Sequence, residues 1–246
     1  MASGLLHLSR RRLFATGATV LAAVTLPRFA NAQTATLKTK IGVIGAGHIG
    51  STIGGLWVKA GHPVLFSSRH PDELKSLVEG MGPLAKAGSV SEALDFSDVI
   101  LVAVPYKAIP DLAKEYGPKF ANKIVIDPAN AVARRDGEEL LAETKEKGIG
   151  VTTESYLKGA HVVRAFNSMS YTSFAREAHR PGDLMAIPMA GDDPRAVDVA
   201  SQLVRDAGFD PVVVPLQRAQ EFAQGGPIYG QQLTAKELRA RFGLSK

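Results

Sequence analysis

The run Lys40-Ile41-Gly42-Val43-Ile44 leads without a break into Gly45-Ala46-Gly47-His48-Ile49-Gly50, and then into Thr52, Ile53, Leu56 and Trp57 at helical spacing. Strand, glycine turn and helix in that order leave few folds open, because the three glycines have separate tasks. Gly45 permits a tight turn, Gly47 lets the backbone approach a pyrophosphate, and Gly50 lets helix and strand pack closely, while the helix N-terminus faces the phosphate charge. The segment therefore predicts the opening βα unit of a dinucleotide-binding fold, with Gly45, Gly47, His48, Ile49 and Gly50 around the pyrophosphate.

The rest of the chain fits that start. Apolar β-branched runs alternate with helical patterns, which is the signature of βαβ units. The predicted strands are Lys40 to Ile44, Pro63 to Phe66, Val99 to Val104, Ile124 to Ile126, Val162 to Phe166, Leu184 to Met189 and Pro211 to Val214. Unbroken runs such as Val99 to Val104 suit strands buried on both faces. The predicted helices are Gly47 to Ala60, Asp72 to Gly80, Lys107 to Tyr116, Gly137 to Lys147 and Pro194 to Ala207, with prolines or glycines at several ends. The expected fold class is α/β: a Rossmann-like, doubly wound, mostly parallel sheet with helices on both faces, in a single compact domain over residues 33–246. A short helical tail spans Gln217 to Lys246.

A fold of this kind that reads NAD places an acid at the end of its second strand to hold the ribose 2′-hydroxyl. Here that place reads Ser67-Ser68-Arg69-His70. Two hydroxyls and a guanidinium suit a 2′-phosphate, so the adenine side points to NADP(H). Asp72, the nearest acid, follows Pro71 and reads as a helix start.

The chain resembles the coenzyme F420-dependent NADP oxidoreductase family. The resemblance rests on Ile41 to Gly50, Ser67-Ser68-Arg69, Val102-Ala103-Val104-Pro105, Val163-Arg164-Ala165-Phe166-Asn167, Met189-Ala190-Gly191-Asp192-Asp193 and Gly225-Gly226-Pro227-Ile228-Tyr229. It is also similar to the cytoplasmic domain of STEAP metalloreductases, a fold that passes electrons to a flavin. The resemblance implies hydride exchange between NADPH and a flavin or deazaflavin (F420-like) acceptor, a small-molecule redox partner. It places Ser67, Ser68 and Arg69 on the 2′-phosphate, and Val104, Pro105 and Tyr106 against the nicotinamide. Asn130 and Asn167 end two further strands on the same rim, where open parallel sheets bind their ligands. Proteins of the family often pair through their C-terminal segments, so Gln217 to Lys246 is where a homodimer is expected.

Hydride transfer needs stacking and electrostatics more than a proton-shuttling side chain, so no acid or base is assigned. Tyr106, Asn130 and Asn167 are the weak catalytic candidates: Tyr106 either bonds or stacks on a ring or simply packs, and the two asparagines either orient a ring edge or serve as turn residues. His48 reads as a packing residue near the phosphates. His161 and His179 stand alone, Asp192-Asp193 reads as helix-cap chemistry, Arg134-Arg135-Asp136 reads as a solvated loop, and no metal site is expected. The absence of a GxSxG elbow argues against hydrolase chemistry. Related dehydrogenases complete their site with an all-helical C-terminal domain, and only about 20 residues follow Gly226 here. A non-catalytic NADP-binding sensor or carrier, and a reductase of a ferric complex or of a small carbonyl or imine, stay open as alternatives.

Composition narrows the partners. The chain has 29 Lys+Arg against 24 Asp+Glu, but Arg10, Arg11, Arg12 and Arg28 sit in an acid-free stretch of the first 32 residues, which leaves the body nearly neutral. Without a basic stripe the main electrostatic term for nucleic acid is missing. Cysteine is absent, which removes disulfides, thiol catalysis and thiolate metal sites. Ser9-Arg10-Arg11-Arg12-Leu13-Phe14, the apolar run Ala15 to Leu26 and the small triplet Ala30-Asn31-Ala32 resemble a twin-arginine signal peptide over residues 1–32. That run is shorter than the about 20 residues a spanning helix needs. The expectation is export to the periplasm or another extracytoplasmic space, with no stable membrane span after cleavage.

Overall fold

The computed structural model describes residues 38–244, so the signal segment read at residues 1–32 lies outside the described residues. Eight strands build one sheet: β1 (Ile41–Ile44), β2 (Val64–Ser67), β3 (Ala85–Gly88), β4 (Val99–Val102), β5 (Ile124–Asp127), β6 (His161–Arg164), β7 (Ala186–Ala190) and β8 (Asp210–Val214). Their order is β3-β2-β1-β4-β5-β6-β7-β8. All neighbours are parallel except β6 and β7, which meet antiparallel at the pair Arg164↔Ala190. This is the expected Rossmann-like, mostly parallel sheet with one more strand than the sequence pattern shows. The extra strand is β3, whose Ala-Lys-Ala-Gly has no apolar run; pairing with β2 from Val64↔Ala85 to Ser67↔Gly88 makes it extended.

Among the described residues ten helices accompany this sheet: α1 (His48–Lys59), α2 (Lys75–Met81), α3 (Val90–Phe96), α4 (Ile109–Phe120), α5 (Ala133–Asp136), α6 (Glu138–Lys147), α7 (Ile149–Tyr156), α8 (Tyr171–Glu177), α9 (Pro194–Asp206) and α10 (Ala235–Arg241). Short 3-10 turns cover Pro71–Leu74, Tyr106–Ala108 and Leu216–Phe222. The predicted helices correspond to α1, α2, α4, α6 and α9, with ends shifted by a few residues. Strand side chains alternate between faces, so each strand feeds two cores. Ile41, Val43, Val99, Leu101, Ile124 and Ile126 join Trp57, Phe166, Phe174 and Leu203 on one side. Ile44, Ile100, Val102 and Val125 join Leu94, Phe120, Ile149 and Leu238 on the other. Burial of each large side chain is worth about 1.5–3 kcal/mol against exposure.

The tail closes the second core. Phe222, Ile228, Leu238 and Phe242 are buried there, and Thr234 and Glu237 cap α10 reciprocally. No helix among the described residues is long and apolar enough to cross a membrane. The chain leaves β1 toward β2 and β3 on one side and resumes at β4 on the other, so a crevice opens beyond the carboxyl ends of β1 and β4.

Candidate functional site

A cavity of about 470 Å³ occupies that crevice. Its walls come from the β1–α1 turn (Gly47, His48, Ile49), the end of β4 (Val104, Pro105), the loop after β5 (Asn130, Val132, Arg135), the loop after β6 (Phe166, Asn167, Met169), and Gln224 and Tyr229 of the tail.

The glycine turn divides its work as its spacing implies. Gly45 has φ of 95°, and a Cβ there would lie 2.4 Å from the Ala103 carbonyl oxygen. At Gly50 a Cβ would lie 2.0 Å from the Gly45 carbonyl oxygen, so both positions require glycine for the fold itself. Gly47 differs: nothing lies within 4 Å of its Cβ position. The backbone at Gly47 is open to a ligand. It is also the N-cap of α1, with no side-chain cap and no acid in the first turn, so the unpaired N–H groups and the positive helix end face the opening. His48 stacks on Tyr171 with ring centroids 4.3 Å apart and planes 10° from parallel, the packing role expected of it.

On the adenine side the structure corrects one assignment. The Ser67 hydroxyl is fully buried and donates to the Val43 carbonyl at 2.9 Å, and the Ser67 carbonyl accepts from the Gly45 N–H at 3.2 Å. Ser67 therefore pins the glycine turn and has no hydroxyl to offer a phosphate. Ser68 accepts from the His70 N–H at 3.1 Å, and Arg69 and His70 are exposed beside it. No carboxylate stands at this strand end; Asp72 belongs to the 3-10 turn that follows.

On the opposite wall Val104 and Pro105 face the cavity, but Tyr106 does not. Its side chain is fully buried in the core, and its hydroxyl hydrogen-bonds Thr153 Oγ1 at 3.1 Å and donates to the Ile149 carbonyl at 3.3 Å. Burial, reinforced by the Asp127 charge, pushes the phenol above its ordinary value. Tyr106 is thus a packing residue, and neither a nicotinamide contact nor a catalytic group. The residue after a strand-ending proline turns into the core here because a 3-10 turn starts at it.

Asn130 and Asn167 do come together. Asn130 Nδ2 donates to the Asn167 carbonyl at 2.7 Å and Asn167 Nδ2 donates to Asn130 Oδ1 at 3.2 Å, while Asn167 Oδ1 is buried without a protein partner. Behind them lies a pair that the sequence reading did not single out. Arg164 and Asp127, both fully buried, form an ion pair. Asp127 also accepts from the Ala129 N–H at 2.8 Å and from Thr153 at 2.8 Å, and Arg164 donates to the Ala129 carbonyl at 2.6 Å. These bonds hold the Asp127–Asn130 turn in place. Phe166, beside Asn167, has φ of 59°, a left-handed conformation costly for a bulky residue, and edge contacts with Trp57, Phe174 and Phe209 hold it there.

Arg134-Arg135-Asp136 forms a short helix, with both arginines exposed as a solvated segment implies but with the acid turned inward. The Asp136 side chain is 0% exposed, and its carboxylate accepts from the N–H of Val132 at 2.8 Å and of Lys107 at 3.3 Å. Burial opposes its ionisation, but the bonds from Arg135, Val132 and Lys107 prevail and hold its pKa below the ordinary carboxylate value. Arg135 lines the cavity. Nothing in the local sequence separates it from Arg134; only the turn that aims it does. A second cavity of about 480 Å³, with Leu141, Lys145 and Gly225 on its walls, adjoins the first and shares Val132 and Gln224 with it. Asp193 caps α9 through the Ala196 N–H at 2.7 Å, as cap chemistry predicts, whereas Asp192 accepts from the Leu216 N–H at 2.9 Å and ties this turn to the segment after β8. Among the described residues no group of three or more His, Asp or Glu is placed to hold a metal ion.

The fold and the glycine turn together have the form of a Rossmann-like dinucleotide-binding domain. Residues 40–131 match the model of the family described as NADP oxidoreductase, coenzyme F420-dependent. Metalloreductase STEAP3 of Rattus norvegicus is 27% identical over 182 residues, which cover 70% of this chain and 33% of the rat protein. The chain therefore spans about a third of that curated relative. Among solved structures, a hypothetical protein of Sinorhizobium meliloti superposes with a TM-score of 0.71 at 26% identity, covering 80% of this chain and 95% of that one. A protein of Arthrobacter sp. FB24 assigned as an F420-dependent NADP reductase gives 0.66 at 20% identity, over 83% and 95%.

Proposed function

We propose that this protein binds NADPH in the crevice and exchanges a hydride between it and a flavin or deazaflavin acceptor. The observation that carries this reading is the Gly47 turn: an open backbone at an uncapped, acid-free helix N-terminus, facing a cavity walled by Val104, Pro105 and the Asn130–Asn167 pair. These residues fit a dinucleotide. The N–H groups at Gly47, His48 and Ile49 would hold the pyrophosphate, and Ser68 and Arg69 the 2′-phosphate, while Val104 and Pro105 would pack on the nicotinamide. When bound, the dinucleotide supplies the transferable hydride. The chain's own part is to orient and to exclude water. The buried Asp127–Arg164 pair fixes Asn130, Asn130 fixes Asn167, and the free Asn167 Oδ1 is an acceptor for a ligand N–H such as a carboxamide.

The adjoining second cavity gives room for an acceptor larger than the nicotinamide ring, which favours a tricyclic ring with a substituent over a small carbonyl or imine. Titration of the protein with NADPH and NADH, followed by quenching of Trp57 or by calorimetry, tests the dinucleotide half of this reading. NADPH should bind at least about tenfold tighter than NADH, the discrimination expected of one charge-assisted phosphate site. Equal affinities contradict the 2′-phosphate assignment, and no binding of either contradicts the reading as a whole.

A further inference from the structure

The ionisable side chains on the walls of the crevice are His48, Arg135 and Tyr229. The adjoining cavity adds Lys145 and Glu221, and the Glu221 carboxylate is held by Arg218 at 2.6 and 2.8 Å. Hydride transfer places a demand on such a site. The carbon–hydrogen bond of the reduced nicotinamide breaks, and both electrons and the hydrogen go to a ring atom of the acceptor. The nicotinamide is left positive, and a neutral acceptor is left with one negative charge until a proton arrives from solvent. The crevice walls carry no carboxylic acid and Glu221 is engaged by Arg218, so that charge must be met by fixed dipoles and cations.

Arg135 is built to meet it. A guanidinium is charged at every working pH, and its planar fork can be fixed by several bonds. Nε and Nη2 of Arg135 grip Asp136 at 2.8–3.1 Å, and Nη2 also donates to the Asn130 carbonyl at 2.6 Å. Nη1 has no protein partner among the described residues. The Asp136 carboxylate is fully shielded and accepts from the Val132 and Lys107 N–H groups, while the half-exposed Arg135 is the member of the pair that lines the crevice. Asn130 joins this cation to the Asn167 pair, so the groups that orient and the group that carries charge form one connected frame.

We propose that Arg135 stabilises the negative charge that hydride delivery puts on the acceptor, and so selects oxidised tricyclic rings whose reduced forms are anionic. This rests on the reading that the crevice holds a nicotinamide dinucleotide. Arg135 is a specificity-determining contact to the acceptor, and is separate from the groups at Gly47 and Arg69 that would hold the dinucleotide.

The test uses full-length protein loaded with NADP+, which cannot donate, and titrates it anaerobically with oxidised FMN and with dithionite-reduced FMN, in wild type, Arg135→Lys and Arg135→Gln. Wild type should bind reduced FMN more tightly than oxidised FMN. Arg135→Gln should lose about tenfold or more of that preference, and Arg135→Lys should keep part of it. Under turnover, Arg135→Gln should lower kcat about 100-fold with NADPH affinity unchanged. Thermal melts of the two variants establish that both are folded. An unchanged redox preference in Arg135→Gln overturns the proposal, as does an equal loss of NADP+ affinity, which would assign Arg135 to the dinucleotide, or failure of NADP+-loaded wild type to bind either FMN form. Failure of wild type to bind NADP+ at all overturns the dinucleotide reading as well, and shows itself before any flavin is added.

Discussion

Two glycines of one loop separate fold from ligand. At Gly50 an added methyl would meet backbone 2.0 Å away, which cannot yield without displacing the turn. Gly50→Ala should therefore destabilise the protein by about 2–3 kcal/mol, the range of an overpacked core, in urea denaturation. At Gly47 the same methyl meets open space and backbone angles that alanine tolerates. Gly47→Ala should keep the wild-type melting temperature and lose about tenfold or more in NADPH affinity, because the methyl occupies the pyrophosphate's approach. Gly47→Ala binding NADPH normally would remove the loop from the site. Arg69→Ser should lower NADPH affinity by about 10- to 100-fold and leave NADH unchanged, which erases the discrimination. The turn-forming tasks of Gly45 and Gly50 were legible from spacing. Ser67 and Tyr106 were not, because which way a strand-end side chain turns depends on the neighbour behind it: the Val43 carbonyl takes the first inward and Thr153 the second. Arg135 was missed for the reverse reason, as a charge pair adjacent in sequence looks solvated until the turn that buries its acid is known.

At the scale of elements, the site depends on how β5 and β6 end. Asp127 and Arg164 are 37 residues apart in the chain, and no periodicity connects them. Asp127→Asn leaves a buried guanidinium without its counter-charge and should cost about 3–5 kcal/mol, whereas Asp127→Asn with Arg164→Met should recover much of the loss. Equal losses in the single and double variants would show that the pair is not what holds the turn. A second tie joins α9 to the turn after α1: His62 bonds Asp206 at 2.8 Å, and Gln202 bonds it at 2.9 Å. Burial works against the Asp206 carboxylate, but the bonds from His62 and Gln202 and the nearby Lys38 charge outweigh it and lower its pKa from 3.8. A lowered carboxylate gives stability that is complete above its ordinary value and lost as pH falls through the lowered one. Wild type should thus lose stability as pH drops below about 4, and Asp206→Asn should start less stable near pH 6 and show a flatter acid limb in melts taken along that range. The strands and helices with strong apolar periods were readable. Strand β3 and helices α3, α7 and α8 were not, since short elements owe their form to partners; α3 alone carried a local signal, the Ser89–Glu92 capping box.

For the molecule as a whole, the strand order explains why one crevice gathers everything of functional interest. The chain reverses direction across the sheet between β1 and β4, and the loops of β1, β4, β5 and β6 converge where helices cannot cover the strand ends. The tail, which the sequence showed only as two weak helical patterns, supplies Gln224 and Tyr229 to that crevice and Phe222 to the core. Position in the chain hid this, because only the folded sheet brings residue 229 beside residue 47. The measurement that bears most directly on the central claim uses NADPH carrying deuterium on one face of nicotinamide C4, with a deazaflavin as acceptor. The carbon that receives the hydride in such a ring does not exchange it with water, so mass spectrometry of the product reads the transfer itself. The account predicts deuterium in the reduced deazaflavin from one face of NADPH and not from the other, with loss of transfer in Arg135→Gln. NADPH that binds tightly while no deuterium reaches any acceptor would contradict hydride transfer at this site and leave a protein that holds the dinucleotide without using it.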